Sequence, residues 1–407
     1  MREPRKYYVI DNVIIGNNHV INNSGCINII QSLDDQNAEI IFFADKSHIK
    51  SVRKKVSSVP GKSIQYSPIH IIDPARSLVK KGISWVKKIK EDNTFINKLF
   101  RQAQKEKPDF LFFCTLTAIN LFLYLDRIRK NSNQKVIIGL HGEIEFLFKT
   151  EISSKDKLNA FLYKKAFQNS PGNLKYLVLS ALIKEKIVKS GLLAAGQILC
   201  IEHPISAVEP TVKRAVLNKP IFALLGVASL RKNAQQIFPL AKHFQDDIAN
   251  GKAEFQIIGK VAADTKSYVN EQVVLGSSED KPLDQGDYEL LINAATYSLS
   301  FITGEEYTFR ISGSLIDSIQ YQIPIIALEH EFIAHVFREA GDIGFICRDI
   351  DEMNALISRI IRHDDALVSR YESQIRNLEH YSRRFSAPVN ARLLHAQLDS
   401  FGWASQD

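Results

Sequence analysis

Thr303 to Leu328 reads TGEEYTFRISGSLIDSIQYQIPIIAL, and it gathers residue types that handle anions. Arg310 supplies a planar fork of donors suited to phosphate or carboxylate. Ser312 is a capping type, and Gly313-Ser314 leave the N–H groups of a first helical turn open to a ligand. Leu315, Ile316 and Ile319 give that helix one apolar stripe, and it must stop before Pro324. Glu305 and Glu306, in the loop ahead, can accept hydrogen bonds from vicinal hydroxyls such as those of a ribose. Upstream, LLGVASLRKNAQQIF (Leu224 to Phe238) ends a strand at a glycine and sets Arg231-Lys232 at the start of a helix. Two cations and a helix dipole there would face an anion. Each feature alone has an ordinary explanation: a capping serine, solvated glutamates, an Arg-Lys pair in water. Their concurrence favours a ligand site.

A second group lies in the first half of the chain. VIIGLHGEIEFLF puts His141-Gly142-Glu143 just past a strongly apolar strand. His141 can take a proton near neutral pH, and Gly142 permits close backbone approach. The alternative is a turn-capping histidine with Glu143 as a helix-start carboxylate. GNNHVINNSG (Gly16 to Gly25), with Asn18 and His19, is a polar loop after the first strand. The Asp-x-Asp at Asp349 to Asp351 is explained by a helix cap and an acidic first turn, so no metal is assigned to it.

These residues need elements to hold them. The first half alternates apolar runs (KYYVID, AEIIFFAD, DFLFFC, KVIIGLHGE, YLVLS, QILCIEHPI) with helical patterns such as SGCINIIQSL, for which Ser24 is the expected N-cap. After a polar stretch at 206–219 the alternation resumes with PIFALLGVA, AEFQIIG, VVLGS, YSLSFI, PIIAL and GFICR. Continuous apolar runs mean strands buried on both faces, and parallel strands need helical crossovers. The expectation is α/β, with two successive Rossmann-like domains at 1–205 and 220–380, a linker at 206–219 and a final helical segment at 381–407.

Composition narrows the classes. The chain has 407 residues, too many for one ordinary core, with 45% hydrophobic and 24% charged residues. Cys26, Cys114, Cys200 and Cys347 are widely spaced, as buried thiols rather than a disulfide framework or zinc site. The N-terminal residues run directly into a strand, without an apolar leader. Phe110 to Leu125 is too short and too polar for a membrane span and reads as buried strand and helix. No G-x-G-x-x-G follows a strand, and G-x-x-x-x-G-K-[ST], H-E-x-x-H and G-x-S-x-G are absent. Dinucleotide, P-loop, zincin and serine-hydrolase chemistry are therefore not expected.

Residues 1–205 hold 32 Lys and Arg against 18 Asp and Glu, whereas the remainder holds 20 against 27. The basic half would be drawn to phosphate-rich material. Ala75 to Asn93 sharpens this: Val79, Ile83 and Val86 share a stripe edged by lysines, with Trp85 at its border. Such a helix either lies at an anionic membrane surface or packs on the core with a solvated lysine face. The basic residues lack interleaved aromatics, so no nucleic-acid partner is expected.

The order strand, Glu- and Tyr307-bearing loop, small-residue helix mouth, apolar helix and QIPIIAL resembles the donor half of the GT-B glycosyltransferases, with a family 4-like C-terminal domain. That family's Glu-x7-Glu motif precedes a helix and a G-x-P-V-I strand. Asp317 takes the place of its second Glu, and Glu305 or Glu306 that of its first, with wider spacing. The resemblance implies a GT-B fold with two parallel sheets facing a central cleft and a last helix returning to the first domain. It further implies a metal-independent glycosyltransferase of bacterial surface polysaccharide assembly, cytoplasmic or peripheral at the inner membrane face. A nucleotide-diphosphate sugar would be co-substrate, without a further cofactor, and a glycan or lipid-linked molecule the acceptor. Arg231, Lys232, Glu306, Tyr307, Arg310, Ser312, Gly313, Ser314 and Asp317 would bind the donor, and Asn18, His19, Gly142 and Glu143 the acceptor. His141 and Glu305 would be catalytic. A sugar-nucleotide epimerase and a non-catalytic binding subunit share this fold and remain open.

Overall fold

The computed structural model describes residues 5–33, 37–72, 81–149, 153–205, 219–277, 283–304 and 306–403. The proposed linker, apart from Lys219, and Glu305 lie outside them. The chain divides into two compact units, one of Met1–Ser206 with Phe385–Asp407, the other of Ala207–Arg384.

The first unit runs β1 (Arg5–Ile10), α1 (Val20–Gln31), β2 (Ala38–Asp45), α2 (Lys46–Arg53), β3 (Lys62–Ile69), α3 (Lys81–Glu106), β4 (Phe110–Phe113), α4 (Ala118–Lys130), β5 (Val136–Gly139), α5 (Ser154–Gln168), β6 (Leu174–Val178), α6 (Ala181–Lys189) and β7 (Ile198–Cys200). Its strands lie in the order β3-β2-β1-β4-β5-β6-β7, every pairing parallel. The strand order therefore reverses between β1 and β4, the place where doubly wound sheets take ligands.

Three local expectations are corrected here. The sequence reading missed β3, whose half-exposed residues and Pro68 show no continuous apolar run. Its edge position explains why: an edge strand tolerates proline and needs no second buried face. Ser24 is not an N-cap, because α1 begins a turn earlier at Val20, and the Ser24 hydroxyl donates to Ile21 O inside the helix. Finally, the lysine-edged stripe near Trp85 departs from both readings offered for it: Val79 lies outside the described residues, and one of the edging lysines is not in solvent. Ser84, Lys88 and Asp92 are buried, with a 3.0 Å Lys88–Asp92 ion pair, while Val86 is 69% exposed. The two buried charges compensate each other, and the nearby Tyr124 hydroxyl donates to the Asp92 backbone O while accepting from Asn12 Nδ2.

The second unit runs β8 (Ile221–Leu225), α7 (Ile237–His243), α8 (Gln245–Ala249), β9 (Glu254–Ile258), β10 (Val273–Leu275), α9 (Gln285–Ala294), β11 (Tyr297–Ser300), α10 (Gly313–Gln320), β12 (Ile325–Leu328), α11 (Glu331–Ala340), β13 (Gly344–Cys347), α12 (Ile350–Ile361) and α13 (Asp365–Ser382). Its parallel order β10-β9-β8-β11-β12-β13 places the switch point between β8 and β11. Alternate residues of β8 serve opposite faces. Phe222 stacks with Phe255 and Tyr297 on one side, and Ala223 and Leu225 join Ile258 and Ile292 on the other. That double burial is why the strand reads as an unbroken apolar run.

The chain's last helix, α14 (Ala387–Ser400), belongs to the first unit. Gln397 accepts from Cys200 N at 2.8 Å and donates to Cys200 O at 2.7 Å. One side-chain amide thus satisfies both backbone groups of Cys200 on edge strand β7. No helix among the described residues is long and apolar enough to cross a membrane. Phe110 to Leu125 divides into β4 and most of α4.

Candidate active site

In the second unit, the loops leaving β8 and β11 form one cluster. β8 ends at Gly226, whose φ of +78° belongs to the left-handed region that favours glycine. The chain then enters a 3-10 turn at Leu230–Lys232, so Arg231 and Lys232 sit on a tight turn ahead of α7 rather than on its first α-helical turn. Asn233 follows with φ +52°, and its Nδ2 donates to Thr303 Oγ1 at 2.7 Å, tying the β8 loop to the β11 loop. Asparagine is among the few side chains that adopt this backbone readily.

Tyr307 is the hub. It is buried to 6% exposure and holds a φ of +61°, a costly conformation for a bulky residue. The Arg231 guanidinium lies 5.3 Å from its ring centroid, Lys232 Nζ 6.0 Å and the Arg310 guanidinium 5.8 Å. Arg231 Nη2 also donates to the Tyr307 hydroxyl at 3.3 Å, and its Nε lies 3.6 Å from Glu306 Oε2. Three cations from two separate stretches thus surround one ring, with their repulsion softened by the π face and by Glu306.

Behind them, Lys232 Nζ lies against the Gly226 backbone, 3.9 Å from where a Cβ would stand. Burial holds its ammonium below the usual lysine range; Asp317 opposes that shift and Arg231 adds to it. Asp317, on α10, accepts from the Tyr288 hydroxyl at 2.6 Å. It keeps a partly exposed surface, yet burial pushes its carboxyl up to about 6, against the lowering effects of Tyr288 and Lys232.

That shift has a consequence for stability. The folded chain holds the Asp317 proton more tightly than the unfolded chain does, so the contribution is fully present below pH 3.8 and is lost as pH rises to about 6. Urea titrations from pH 4 to pH 7 are expected to show a proton-linked loss of stability that Asp317→Asn lacks. Parallel curves for the two proteins would contradict it.

The mouth of α10 differs from expectation in one respect. Ser312 occupies the N-cap position, but its side chain accepts no N–H there; its hydroxyl pairs with Ser314 Oγ at 2.7 Å. Gly313 is exposed at the helix start. At the other end Gln322 has φ +56°, where the resembled motif has a glycine. His330, after β12, was not singled out from the sequence. Its Nε2 donates to Glu306 O at 2.8 Å, and its Nδ1 accepts from Phe332 N at 3.2 Å, which fixes the tautomer and anchors the Glu306–Tyr307 turn. Asp349 caps α12 by accepting from Glu352 N at 2.8 Å, as the sequence implies. Among the described residues no group of three His, Cys, Asp or Glu is arranged to hold a metal.

The first unit carries a separate network at its own strand ends. Asp11, after β1, accepts from Val13 N, Ile14 N and Asn23 Nδ2, the last at 2.5 Å. Asn23 also donates to His48 Nε2 at 2.8 Å, and His48 Nδ1 donates to Gly16 O at 2.7 Å. Asp11, Asn23 and His48 are fully buried. This chain of bonds fixes the Gly16–His19 turn, in which Asn18 and His19 are exposed. The His19 ring lies edge-on to His141, 5.2 Å between centroids. His141 Nε2 donates to Cys114 O at 3.0 Å, which leaves Nδ1 as its basic nitrogen. Gly142 opens a 3-10 turn, Gly142–Leu147, and the Glu143 side chain is not described. His203, also unforeseen, has its imidazole pushed down to about 4 by burial, with His141 and His19 adding repulsion.

No protein-family model and no curated relative matches the sequence. Solved structures do match along nearly the whole chain. A glycosyltransferase from Rickettsia africae aligns with TM-score 0.61 at 13% identity, covering 98% of each chain. Anabaena HepE, solved in complex with UDP-glucose, aligns with TM-score 0.59 at 13% identity, covering 97% of this chain and 99% of that one. An α,α-trehalose-phosphate synthase (UDP-forming) from Burkholderia vietnamiensis gives 0.60 at 9% identity over 99% and 100%. At such identities the likeness is one of fold: α/β, with two Rossmann-like domains of the GT-B type.

Proposed function

We propose that this chain is a glycosyltransferase that moves a sugar from a nucleotide-diphosphate donor to an acceptor hydroxyl. One observation carries the reading: Arg231, Lys232 and Arg310 converge on Tyr307 at the switch point of the second sheet, where such folds take ligands. When the bond between the sugar and the diphosphate breaks, the electron pair stays with the departing nucleoside diphosphate. Cations already in place stabilise that developing charge without reorganising. Lys232 and Arg310 are assigned to the phosphates, together with the Ser312-Gly313-Ser314 helix mouth, and Glu306 to the ribose. In the first unit, His141 is assigned to take the acceptor proton on Nδ1, with Asn18, His19 and Gly142 beside the acceptor. The UDP-glucose bound in the HepE structure supports the substrate class. By analogy, the setting is bacterial surface polysaccharide assembly, with a glycan or lipid-linked acceptor and a peripheral site at the inner membrane face. The apolar Trp85–Val86 surface on α3, with Lys87 beside it, suits such a face.

Incubation with UDP-, GDP-, ADP- and dTDP-sugars tests the reading. Release of nucleoside diphosphate that depends on an added bacterial lipid or glycan fraction is expected. Conversion of the donor to its epimer without any acceptor would instead identify the epimerase alternative.

A further inference from the structure

The first unit contains a cavity beside the His141 turn. It lies past the ends of β1 and β4, between which the strand order of that sheet reverses. Its volume is about 160 Å³, its walls include Val13, Leu116, Ile119, Phe146 and Tyr163, and Trp85 of α3, 37% exposed, stands where it meets solvent. Such a space holds about six carbon atoms, since an apolar void of about 150 Å³ accommodates one benzene ring. It is smaller than the roughly 300 Å³ at which sites for whole small molecules begin. It therefore suits one end of a ligand and leaves the rest outside. Three polar features accompany the apolar walls. Thr115 lines the cavity and is 3% exposed, yet its hydroxyl has no hydrogen-bond partner among the described residues. The first turn of α4 lines it too: Thr117 Oγ1 accepts from Asn120 N at 3.2 Å, whereas Ala118 N and Ile119 N have no partner among the described residues. Lys155, on the first turn of α5, is exposed at the rim and makes no ion pair among the described residues.

A purely apolar ligand would leave all of these donors without an acceptor. A phosphate would meet them, because helix-mouth N–H groups, a hydroxyl and an ammonium are the donors that hold phosphate. The cavity is also tied to His141 through two segments. Cys114 O, which accepts from His141 Nε2 at 3.0 Å, immediately precedes Thr115. Gly139 permits close packing there, since a Cβ would stand 2.4 Å from Cys114 O. The 3-10 turn that opens at Gly142 carries Phe146 into the wall. In the other direction, Trp85 continues into the exposed Val86. We propose, resting on the transferase reading above, that this cavity makes the acceptor a sugar carried on a lipid phosphate. The apolar chain places about one five-carbon unit among Leu116, Ile119 and Phe146, and leaves across Trp85 and Val86. The phosphate joined to it accepts from Thr115, Lys155 and the mouth of α4. The sugar on the far side of the phosphate then faces His141 Nδ1.

The chain has two tryptophans, Trp85 and Trp403, so Trp403→Phe leaves Trp85 as the one indole reporter, at the cavity itself. Its fluorescence is followed in the full chain during titration with farnesyl phosphate, farnesol and inorganic phosphate, the lipids kept below micelle-forming concentrations. Farnesyl phosphate is expected to change the Trp85 emission saturably and to bind at least about 10-fold tighter than farnesol or phosphate alone. Thr115→Val keeps the side-chain shape and removes only the unpartnered hydroxyl. It is expected to weaken farnesyl phosphate about 10-fold and to leave farnesol unchanged. Lys155→Ala, at an exposed position, should act in the same direction and reduce the salt dependence of binding. Absence of any saturable response to farnesyl phosphate overturns the proposal. Equal affinity for farnesol, unmoved by either substitution, overturns it in favour of a purely apolar acceptor group. Equal affinity for inorganic phosphate overturns it in favour of a free anion. Binding of farnesyl phosphate by a chain that takes no nucleotide sugar would support the site and strike the transferase reading, which keeps the two failures apart.

Discussion

Lys232→Ala is expected to lower kcat/KM for the nucleotide sugar by about 10²–10³-fold while leaving the fold intact. The size of the effect follows from where the ammonium lies. It is set against the Gly226 backbone, burial has already weakened its hold on the proton, and the neighbouring Arg231 repels it. A charge kept in that condition gains more from an arriving diphosphate than a solvated lysine would. A charge-assisted hydrogen bond of this kind contributes about 1.5–3 kcal/mol to binding, and negative charge on the leaving group grows as the reaction proceeds. The loss should therefore exceed the loss in donor affinity alone. Arg310→Ala should behave similarly. Arg231→Ala should be milder, because its side chain is 46% exposed and already occupied with Tyr307 and Glu306. Steady-state kinetics at saturating acceptor measure these ratios. A change below threefold for Lys232→Ala would remove it from the site.

Asn23→Ala is expected to destabilise the first unit by about 3 kcal/mol. Asn23, Asp11 and His48 have no solvent exposure. The single Asn23 amide donates to Asp11 Oδ2 and to His48 Nε2. Alanine would leave a buried carboxylate oxygen and a buried imidazole nitrogen without their donor, and each such group costs about 1–3 kcal/mol. The damage should also reach the acceptor side, because His48 in turn holds Gly16 O and so the turn carrying Asn18 and His19. Denaturant unfolding reads the first effect. The second should appear as a raised acceptor KM with donor affinity unchanged, since the donor cluster lies in the other unit. Unchanged stability would mean that the network adds nothing, and a matching loss of donor affinity would mean that the damage is not local.

Much of the architecture was legible in the sequence because its strands are buried on both faces. Val9, Phe42, Phe113, Ile138, Phe222 and Ile326 all belong to unbroken apolar runs, and such runs announce parallel strands. β3 was invisible for the opposite reason: an edge strand has one buried face, so its pattern is diluted. The orientation of α3 stayed open in the sequence because apolar periodicity assumes that the core is apolar. Here a buried Lys88–Asp92 pair takes the inward positions. For the candidate site, the anion-handling residues Arg231, Lys232 and Arg310 could be picked out by type and by position at strand ends. The approach of Arg231 and Lys232 to Tyr307 could not, because cation–π packing across about 75 residues leaves no local spacing. Tyr288, His330 and His203 carried no local signal either. Each sits in an ordinary helix or loop and acquires its part only when the sheet brings distant strand ends together. Asp11 did carry one, a carboxylate following the buried run Tyr7 to Ile10, though nothing in its spacing names its partners.

The central claim is that the second unit binds a nucleotide sugar through its cationic cluster. The most direct measurement is the thermal stability of wild type and Lys232→Ala across a panel of uridine, guanosine, adenosine and thymidine diphosphate sugars, without added metal. Sugars of one nucleoside diphosphate are expected to raise the unfolding temperature of wild type in a concentration-dependent way, as a ligand of the native state must. Lys232→Ala, with its fold retained, should show no such rise. A folded wild-type protein that none of the panel stabilises, or a Lys232→Ala protein stabilised equally well, would contradict it.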